Sequence, residues 1–197
     1  MIALPDWPGP ADAQPGYVDF GGWQGSPLGA RVQRIDRPGN RFKLAVQMPP
    51  MPSAALGRIW VSRLITGMTE GVRMEFPLLG FDPGAPGAPV ADGDGQAGRV
   101  LAVRGFTPHY VMREGQFFHH ASAAGLLLYK VDAETIADGA GKAEVPISPM
   151  LREEPADGEA MEFGKPMIEG RVLGEEWRWQ MQLGNNIGLS FEIEELA

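Results

Sequence analysis

Cysteine is absent from the 197 residues, and histidine occurs only three times. The absence of cysteine excludes a disulfide framework, a thiolate metal site and a cysteine nucleophile, and it leaves the redox compartment open. Basic residues are also few, since 17 Lys and Arg stand against 25 Asp and Glu and give a formal net charge of −8. A nucleic-acid surface needs clustered Lys and Arg to neutralise phosphates. We therefore expect no nucleic-acid partner.

Long apolar runs are missing as well. No stretch approaches the roughly eighteen apolar residues that a membrane-spanning helix needs. Met1 to Asp6 contain neither a basic segment nor an apolar leader. We expect a chain that is made in the cytoplasm and does not insert directly into a membrane.

Glycine and proline are plentiful, with 27 and 18 copies, and 44% of the residues are hydrophobic, which is enough for a core. The glycines and prolines interrupt alternating apolar runs at intervals of roughly ten residues, a pattern typical of many short strands joined by turns. The sequence predicts an all-β fold, a barrel or sandwich, with one α-helix.

The clearest alternation lies near the C-terminus. Its eight large apolar residues are Trp177, Trp179, Met181, Leu183, Ile187, Leu189, Phe191 and Ile193. A period of two predicts a hairpin with one buried face. With a loop over 184–186 and Asn186 left-handed, Leu183 pairs with Ile187 and Trp179 with Phe191. All eight side chains then share the buried face.

A second strand is predicted over 42–48 and a third over 72–76. Between them, apolar residues at helical spacing predict the helix 53–67, with Ser53 as its cap, Gly67 near its end and Trp60 against a sheet. Residues 1–29 form a Pro- and Gly-rich arm with a short strand near 17–20. The arm either wraps over its own core or reaches a neighbouring molecule. A short strand is also expected from Ala30 to Asp36.

Residues 82–98 are so rich in Pro, Gly and Ala that they indicate a linker or a domain boundary. Five short strands are expected beyond it, near 100–105, 116–119, 126–131, 143–147 and 160–163. We predict a β domain made of residues 1–88 and 165–197, with a small β-barrel-like module inserted at 89–164. Replacing 98–164 by a short flexible bridge should then leave the outer domain folded.

No constellation of catalytic residues is recognisable. His109 lies in a predicted turn, and His119 and His120 are adjacent, so in a strand they point to opposite faces. The stretch 92–95 (Asp-Gly-Asp-Gly) lacks the spacing of a calcium loop and is interpreted as a solvated turn. The acidic pairs 153–154, 175–176 and 194–195 are expected to be solvated. We predict no catalytic, cofactor-binding or metal-binding residue and no enzyme activity.

Trp177 and Trp179 admit two interpretations. Stacked aromatic rings can line a sugar-binding face, which would make the chain a carbohydrate-binding accessory module. The apolar residues expected across the hairpin favour a buried core instead.

Several phrases of the sequence, taken in order, resemble a known family. The strand-helix-strand passage contains Arg41-Phe42-Lys43-Leu44-Ala45-Val46, Ile59-Trp60-Val61-Ser62-Arg63-Leu64 and Met74-Glu75-Phe76-Pro77, and the closing passage contains Trp177-Arg178-Trp179-Gln180-Met181 and Leu189-Ser190-Phe191-Glu192. Between them stand Arg113-Glu114-Gly115-Gln116-Phe117-Phe118, Ala137-Asp138-Gly139-Ala140-Gly141-Lys142-Ala143 and Val145-Pro146-Ile147-Ser148-Pro149-Met150. This order resembles the distal tail and tail-tip proteins of long, non-contractile-tailed phages and prophages.

The resemblance implies a structural protein of the virion tail, synthesised in the bacterial host cytoplasm. The outer domain would form a homohexameric ring at the tail tip or baseplate, and the inserted module would project outward. The implied partners are the tail tube protein, the tape-measure protein and the tail hub or tip proteins, and no cofactor is implied. The large carbohydrate-binding C-terminal domain of some family members has no counterpart in the sequence.

Overall fold

The computed structural model describes residues 1–26, 29 and 31–196. In chain order its strands are β1 (Ile2–Ala3), β2 (Asp12–Val18), β3 (Gly22–Gln24), β4 (Gln33–Ile35), β5 (Arg41–Gln47), β6 (Met51–Pro52), β7 (Val72–Glu75), β8 (Gly87–Ala91), β9 (Val100–Phe106), β10 (Val111–Met112), β11 (Phe117–Ser122), β12 (Gly125–Val131), β13 (Thr135–Ile136), β14 (Ala143–Ser148), β15 (Met161–Glu162), β16 (Met167–Val172), β17 (Trp179–Gln182) and β18 (Asn186–Glu195). Among the described residues there is one helical segment, a π-helical turn over Ser53–Gly57 that continues as α1 (Arg58–Glu70). The predicted all-β class with one helix is confirmed.

The first sheet has eight strands, in the order β1-β7-β16-β18-β5-β2, with β6 and β17 also paired to β18. Strands β1 and β7 run parallel, and the other pairs of this sheet are antiparallel in the described part of the chain. The long strand β18 lies at its centre, since β5 and β6 pair with one edge of β18 and β16 and β17 with the other. The two ends of the chain thus build one sheet.

The core of this sheet follows from alternation in β5 and from the apolar stripe of α1. Phe42, Leu44 and Val46 are buried on one face, as predicted. Trp60 on α1 is 1% exposed, and its ring centroid lies 6.1 Å from that of Phe191. An aromatic contact therefore joins the helix to the central strand. The predicted packing of Trp60 against a sheet is confirmed.

The helix differs from its prediction at both ends. Ser53 does not cap it, because the capping position is Pro52 and no side chain supplies a capping hydrogen bond. The helix continues past Gly67 to Glu70 and ends where Gly71 adopts a φ of 75°. Gly67 is instead a packing residue, since a Cβ at that position would collide with the Val72 side chain. The glycine that was predicted to end the helix therefore lies inside it.

The C-terminal hairpin forms, but its predicted register is wrong by two residues. Trp179 pairs with Leu189, and Met181 pairs with Ile187. The left-handed loop residues are Gly184 and Asn185, whereas Asn186 belongs to β18. An asparagine adopts the left-handed conformation equally well one position earlier, so residue preference alone could not fix the loop.

The buried face predicted for this hairpin is only partly realised. Every apolar residue of β18 is buried, but Met181 is 79% exposed and Leu183 is fully exposed. The reason is that β17 is an edge strand paired with β18 alone, whereas β18 is flanked by β5 or β6 on one edge and by β16 or β17 on the other. Arg178 precedes β17 and pairs with Glu176 at 2.8 Å.

The second sheet has six antiparallel strands in the order β15-β11-β12-β14-β9-β8. All five strands predicted for this region are present. The supposed linker 82–98 contains a sixth, β8, whose Ala91 is completely buried. The core of this sheet includes Phe118 and Phe163, whose rings stack with centroids 4.3 Å apart.

The N-terminal arm pairs within its own chain. All seven residues of β2 pair with β5, so the strand expected at 17–20 lies earlier, and β1 pairs with β7. Of the strand expected over 30–36, the structure shows β4, paired with β3, while Ala30 lies outside the described residues. Strands β1 and β2 are therefore part of the first sheet, and they attach the N-terminal segment to its own chain.

The two sheets also touch each other. Leu128 of β12 is buried in the core of the first sheet. The Phe117 ring of β11 lies 5.4 Å from that of Phe42 and 4.5 Å from that of Phe76. The division into a domain of residues 1–88 plus 165–197 and a module of residues 89–164 stays a prediction, and β8 spans its first boundary.

Candidate functional surfaces

The three histidines have different surroundings and different hydrogen-bond partners. His109 lies in a turn with a φ of 61°, as predicted. The Nδ1 of His119 accepts a hydrogen bond from the Met167 backbone N–H at 3.0 Å, whereas His120 Nε2 lies 2.7 Å from a Glu159 carboxylate oxygen. Across residues 1–26, 29 and 31–196, no three His, Asp or Glu side chains are grouped so that they could hold a metal ion.

Burial controls the proton affinity of His119. The side chain is only slightly exposed, and loss of solvation lowers its pKa to about 4. The nearby Glu162 carboxylate opposes this shift, while His120 and Arg73 add to it. His119 is thus a neutral hydrogen-bond acceptor between β11 and β16 at ordinary pH.

The stretch 92–95 has its carboxylates occupied by neighbouring groups. Asp92 pairs with Lys142 at 2.8 Å and with Arg104 at 3.1 Å, and these hydrogen bonds, Lys142 first, lower its pKa. Asp94 accepts the Asp157 backbone N–H at 2.6 Å. These contacts tie the stretch 92–95 to β9 and to the 156–158 turn.

The predicted solvation of the acidic pair Glu194-Glu195 is wrong. Both residues are buried, because β5 and β16 flank β18 to its end. Burial alone would raise the pKa of Glu194, but the hydrogen bond from Arg171 and the charges of Arg41 and Lys43 hold it below the ordinary value. The cations that partner Glu194 are far away along the chain, so no local pattern indicated them.

Glu195 joins the two sheets. One carboxylate oxygen accepts the Phe42 backbone N–H of β5 at 2.7 Å. The other accepts the Leu128 backbone N–H of β12 at 2.7 Å and an Arg152 N–H at 3.0 Å. The Arg152 guanidinium also lies over the Tyr129 ring, 5.2 Å from its centroid. A single buried carboxylate therefore bonds to both sheets.

The hairpin tip, which we define as residues 181–183, exposes two large apolar side chains. Met181 and Leu183 stand out from the sheet on β17 and on the loop that follows it. Large apolar side chains scattered over a surface are ordinary, but here two lie together at one hairpin tip and form a small exposed apolar patch. No sequence signal separated these two residues from the buried members of the same alternating pattern.

In the first sheet, the outer edges of β1, β2 and β17 carry no further strand in the described part of the chain. The edges of β2 and β17 lie on opposite sides of β18, since β2 is reached through β5 on one edge of β18 and β17 pairs with the other. Pro15 lies within β2. Proline has no backbone N–H to donate, and it is therefore tolerated in an edge strand.

Among the described residues, no helix combines the length and the apolar character required to cross a membrane. No protein-family model matches the chain, and a comparison with curated proteins finds no match.

Proposed function

We propose that this chain is a structural subunit of a phage tail tip, a distal tail protein that forms a homohexameric ring. The ring would join the tail tube to the tip or baseplate hub and would act by shape, without catalysis. Its partners would be the tail tube, tape-measure and hub proteins, and its location the virion tail. The order of sequence phrases that resemble the tail-tip family supports this proposal.

The observation that carries it is the apolar hairpin tip. Met181 is exposed on β17, which pairs with β18 alone, and Leu183 is exposed on the loop that follows β17. Exposed apolar area costs free energy in water at roughly 25 cal/mol per Å², so covering this tip by a second copy is favourable. The backbone of Met181 is held in place, because β17 is paired along its whole length with the central strand.

The placement of the sheet edges suits a ring. A contact between the β17 side of one copy and the β2 side of the next uses two different surfaces. Such heterologous contacts repeat around an axis, and they close when the rotation between copies divides a full turn evenly. A contact of one surface with itself would stop at a dimer.

The test is the mass of the assembly formed by the full chain and by two variants. Analytical ultracentrifugation and electron microscopy of the unmodified chain should show closed rings, alone or on purified tail tubes. Replacing both tip residues (Met181→Glu with Leu183→Glu) should leave the fold intact and abolish the rings, because buried unpaired carboxylates are costly. The matched control is Leu79→Glu, since Leu79 is 99% exposed and lies away from the hairpin.

Two results would count against the proposal. A chain that stays monomeric at tens of micromolar and does not associate with tail tubes is not a ring subunit. Rings that form equally well in the double tip variant would show that the subunits meet elsewhere.

A further inference from the structure

An open groove lies on the face of the first sheet opposite α1. It has a volume of about 620 Å³ and crosses β2, β5 and β18, with the segment 173–178 as one wall. Small-molecule sites commonly occupy 300–1,000 Å³, so this groove is of the right size for a ligand larger than one sugar ring.

The floor of the groove follows from strand register. Gln14, Ala45 and Glu192 are directly opposite one another on three neighbouring strands. Successive side chains of a strand point to opposite faces, and so the core-facing Val46 leaves Ala45 on the outer face. A methyl group between two long polar side chains leaves a depression at the centre of the floor.

The next row of the floor is also polar, with Asp12, Gln47 and Ser190 opposite one another. The side chains of the floor form few hydrogen bonds. Gln14 donates to the Asp12 carboxylate at 3.2 Å, and Gln47 donates to the Met48 carbonyl at 3.5 Å. In the described part of the chain the Ser190 hydroxyl and the Glu192 carboxylate form no side-chain hydrogen bond, and they are available to a ligand.

The wall supplies a fixed aromatic surface. The Trp177 indole N–H donates to the Ser190 carbonyl at 2.7 Å, at a point where β18 is paired with neither β16 nor β17. Trp177 also stacks on Trp179, with ring centroids 5.4 Å apart. An indole held in this way loses little conformational entropy when a flat apolar ring packs on it.

The charge of the groove selects among ligands. Asp12, Glu176 and Glu192 contribute three carboxylates, whereas Arg178, the one cation among the described residues that line it, is already paired with Glu176 at 2.8 Å. The excess of negative charge repels phosphates and sugar acids. Carboxylates and amides side by side accept and donate hydrogen bonds to hydroxyl groups, which a neutral sugar presents in quantity.

We propose that this groove binds a short neutral oligosaccharide. One sugar ring packs on Trp177, and the hydroxyls of its neighbour bond to Gln14, Gln47 and Glu192 above Ala45. Every group in the site belongs to one chain, so binding does not require a second copy.

The experiment measures binding of maltotriose, cellotriose, chitotriose and the anionic trigalacturonate to the full chain, by tryptophan fluorescence and by NMR shift mapping. We expect saturable binding of at least one neutral probe, with a Kd on the order of 0.1–1 mM, and no saturation by trigalacturonate. Shifts should centre on Gln14, Ala45 and Trp177.

The decisive variant is Ala45→Arg, which fills the depression and lies on a half-exposed face. It should weaken binding at least about tenfold, which corresponds to about 1.4 kcal/mol. The matched control is Ala133→Arg, the same change at an exposed position after β12, and it should bind as the unmodified chain does. Thermal melts of both variants establish that the fold is retained.

Three outcomes would overturn the proposal. The first is no binding of any neutral probe at about 10 mM, far above the expected Kd. The second is equal binding by the Ala45→Arg variant, and the third is tighter binding of trigalacturonate than of the neutral probes. If Ala45→Arg changes the mass of the assembly and leaves sugar binding unchanged, the groove is a contact between copies. That result would also overturn the proposal.

Discussion

The Arg152 guanidinium donates to the Glu195 carboxylate across 3.0 Å, with both side chains almost fully buried. Glu195 is the last residue of β18 in the first sheet, and Arg152 follows β14 of the second sheet. The Glu195 carboxylate also accepts hydrogen bonds from two backbone N–H groups, one in each sheet. The pair is thus part of a network in which both carboxylate oxygens accept hydrogen bonds and the buried cation has Glu195 as its counter-charge.

The first prediction concerns this network. Glu195→Ala should lower the free energy of unfolding by about 3–5 kcal/mol, because it leaves a buried guanidinium without its counter-charge. Urea denaturation measures the change. The control, Glu175→Ala at an exposed position, should stay within about 0.5 kcal/mol of the unmodified chain. A loss at Glu195 no larger than the loss at Glu175 would show that the pair is not buried in solution.

An apolar double replacement sharpens this test. Replacing a buried ion pair by hydrophobic residues is often neutral. Here Arg152→Met with Glu195→Leu should remain clearly destabilised, since the Phe42 and Leu128 N–H groups lose their acceptor and each orphaned donor costs about 1–3 kcal/mol. Recovery of full stability in the double variant would contradict the role given to these two donors.

The second prediction ranks the tryptophans by burial. Trp60→Ala should cost about 3–5 kcal/mol, because the side chain is fully enclosed between α1 and β18. Trp179→Ala should cost less, since the ring is only partly buried, and Trp7→Ala should cost little because Trp7 is 71% exposed. Thermal or urea unfolding of the three variants gives the order. Equal losses for Trp179 and Trp60 would mean that the hairpin is covered in solution.

The sequence predicted those parts of the fold whose signals are local. Alternation in β5 and β18 and the apolar stripe around Trp60 depend only on neighbouring residues, and each was found. What failed depends on tertiary context. Met181 and Leu189 belong to the same alternating pattern, but β17 is an edge strand while β18 has a neighbour on each edge, so Met181 is exposed and Leu189 is buried.

The same distinction applies to the functional surfaces. Trp177 could be singled out as a candidate for sugar stacking from sequence. The floor beneath it could not, because Gln14, Ala45 and Glu192 are far apart along the chain and meet only through register. Glu195 was expected to be solvated for the same reason, since its partner Arg152 is 43 residues away.

The third prediction concerns pH. The folded-state pKa of His119 is about 4, below its ordinary value of 6.5, so the unfolded chain binds the proton first as the pH falls. Stability from this residue is therefore fully present above pH 6.5 and is lost as the pH falls toward 4. At about 1.4 kcal/mol per pH unit, the loss approaches roughly 3 kcal/mol.

His119→Asn tests this directly, because the asparagine oxygen can accept the Met167 N–H without titrating. Urea denaturation at about pH 7 and at about pH 4.5 should show a pH-dependent loss that is smaller in the variant by about 2–3 kcal/mol. His109→Asn makes the same change in an exposed turn and serves as the control. Identical pH dependence in His119→Asn and the unmodified chain would rule out the proposed titration.

The last prediction concerns the independence of the second sheet. Composition alone predicts that residues 98–164 can be replaced by a short bridge without harm to the outer domain. The shared contacts change that expectation, because removal deletes Phe117 from between Phe42 and Phe76 and takes Leu128 out of the first core. It also strips Glu195 of its buried cation.

We therefore expect the shortened chain to lose its cooperative thermal transition and its near-ultraviolet circular dichroism while keeping strand signal. The matched control is the full-length variant Phe117→Ala, which removes one shared contact and keeps the second sheet. It should remain cooperative, with a loss of at most about 3–5 kcal/mol. A shortened chain that melts as sharply as the full chain would establish two independent domains, because the contacts of Phe117 and Leu128 would then contribute nothing to the first core.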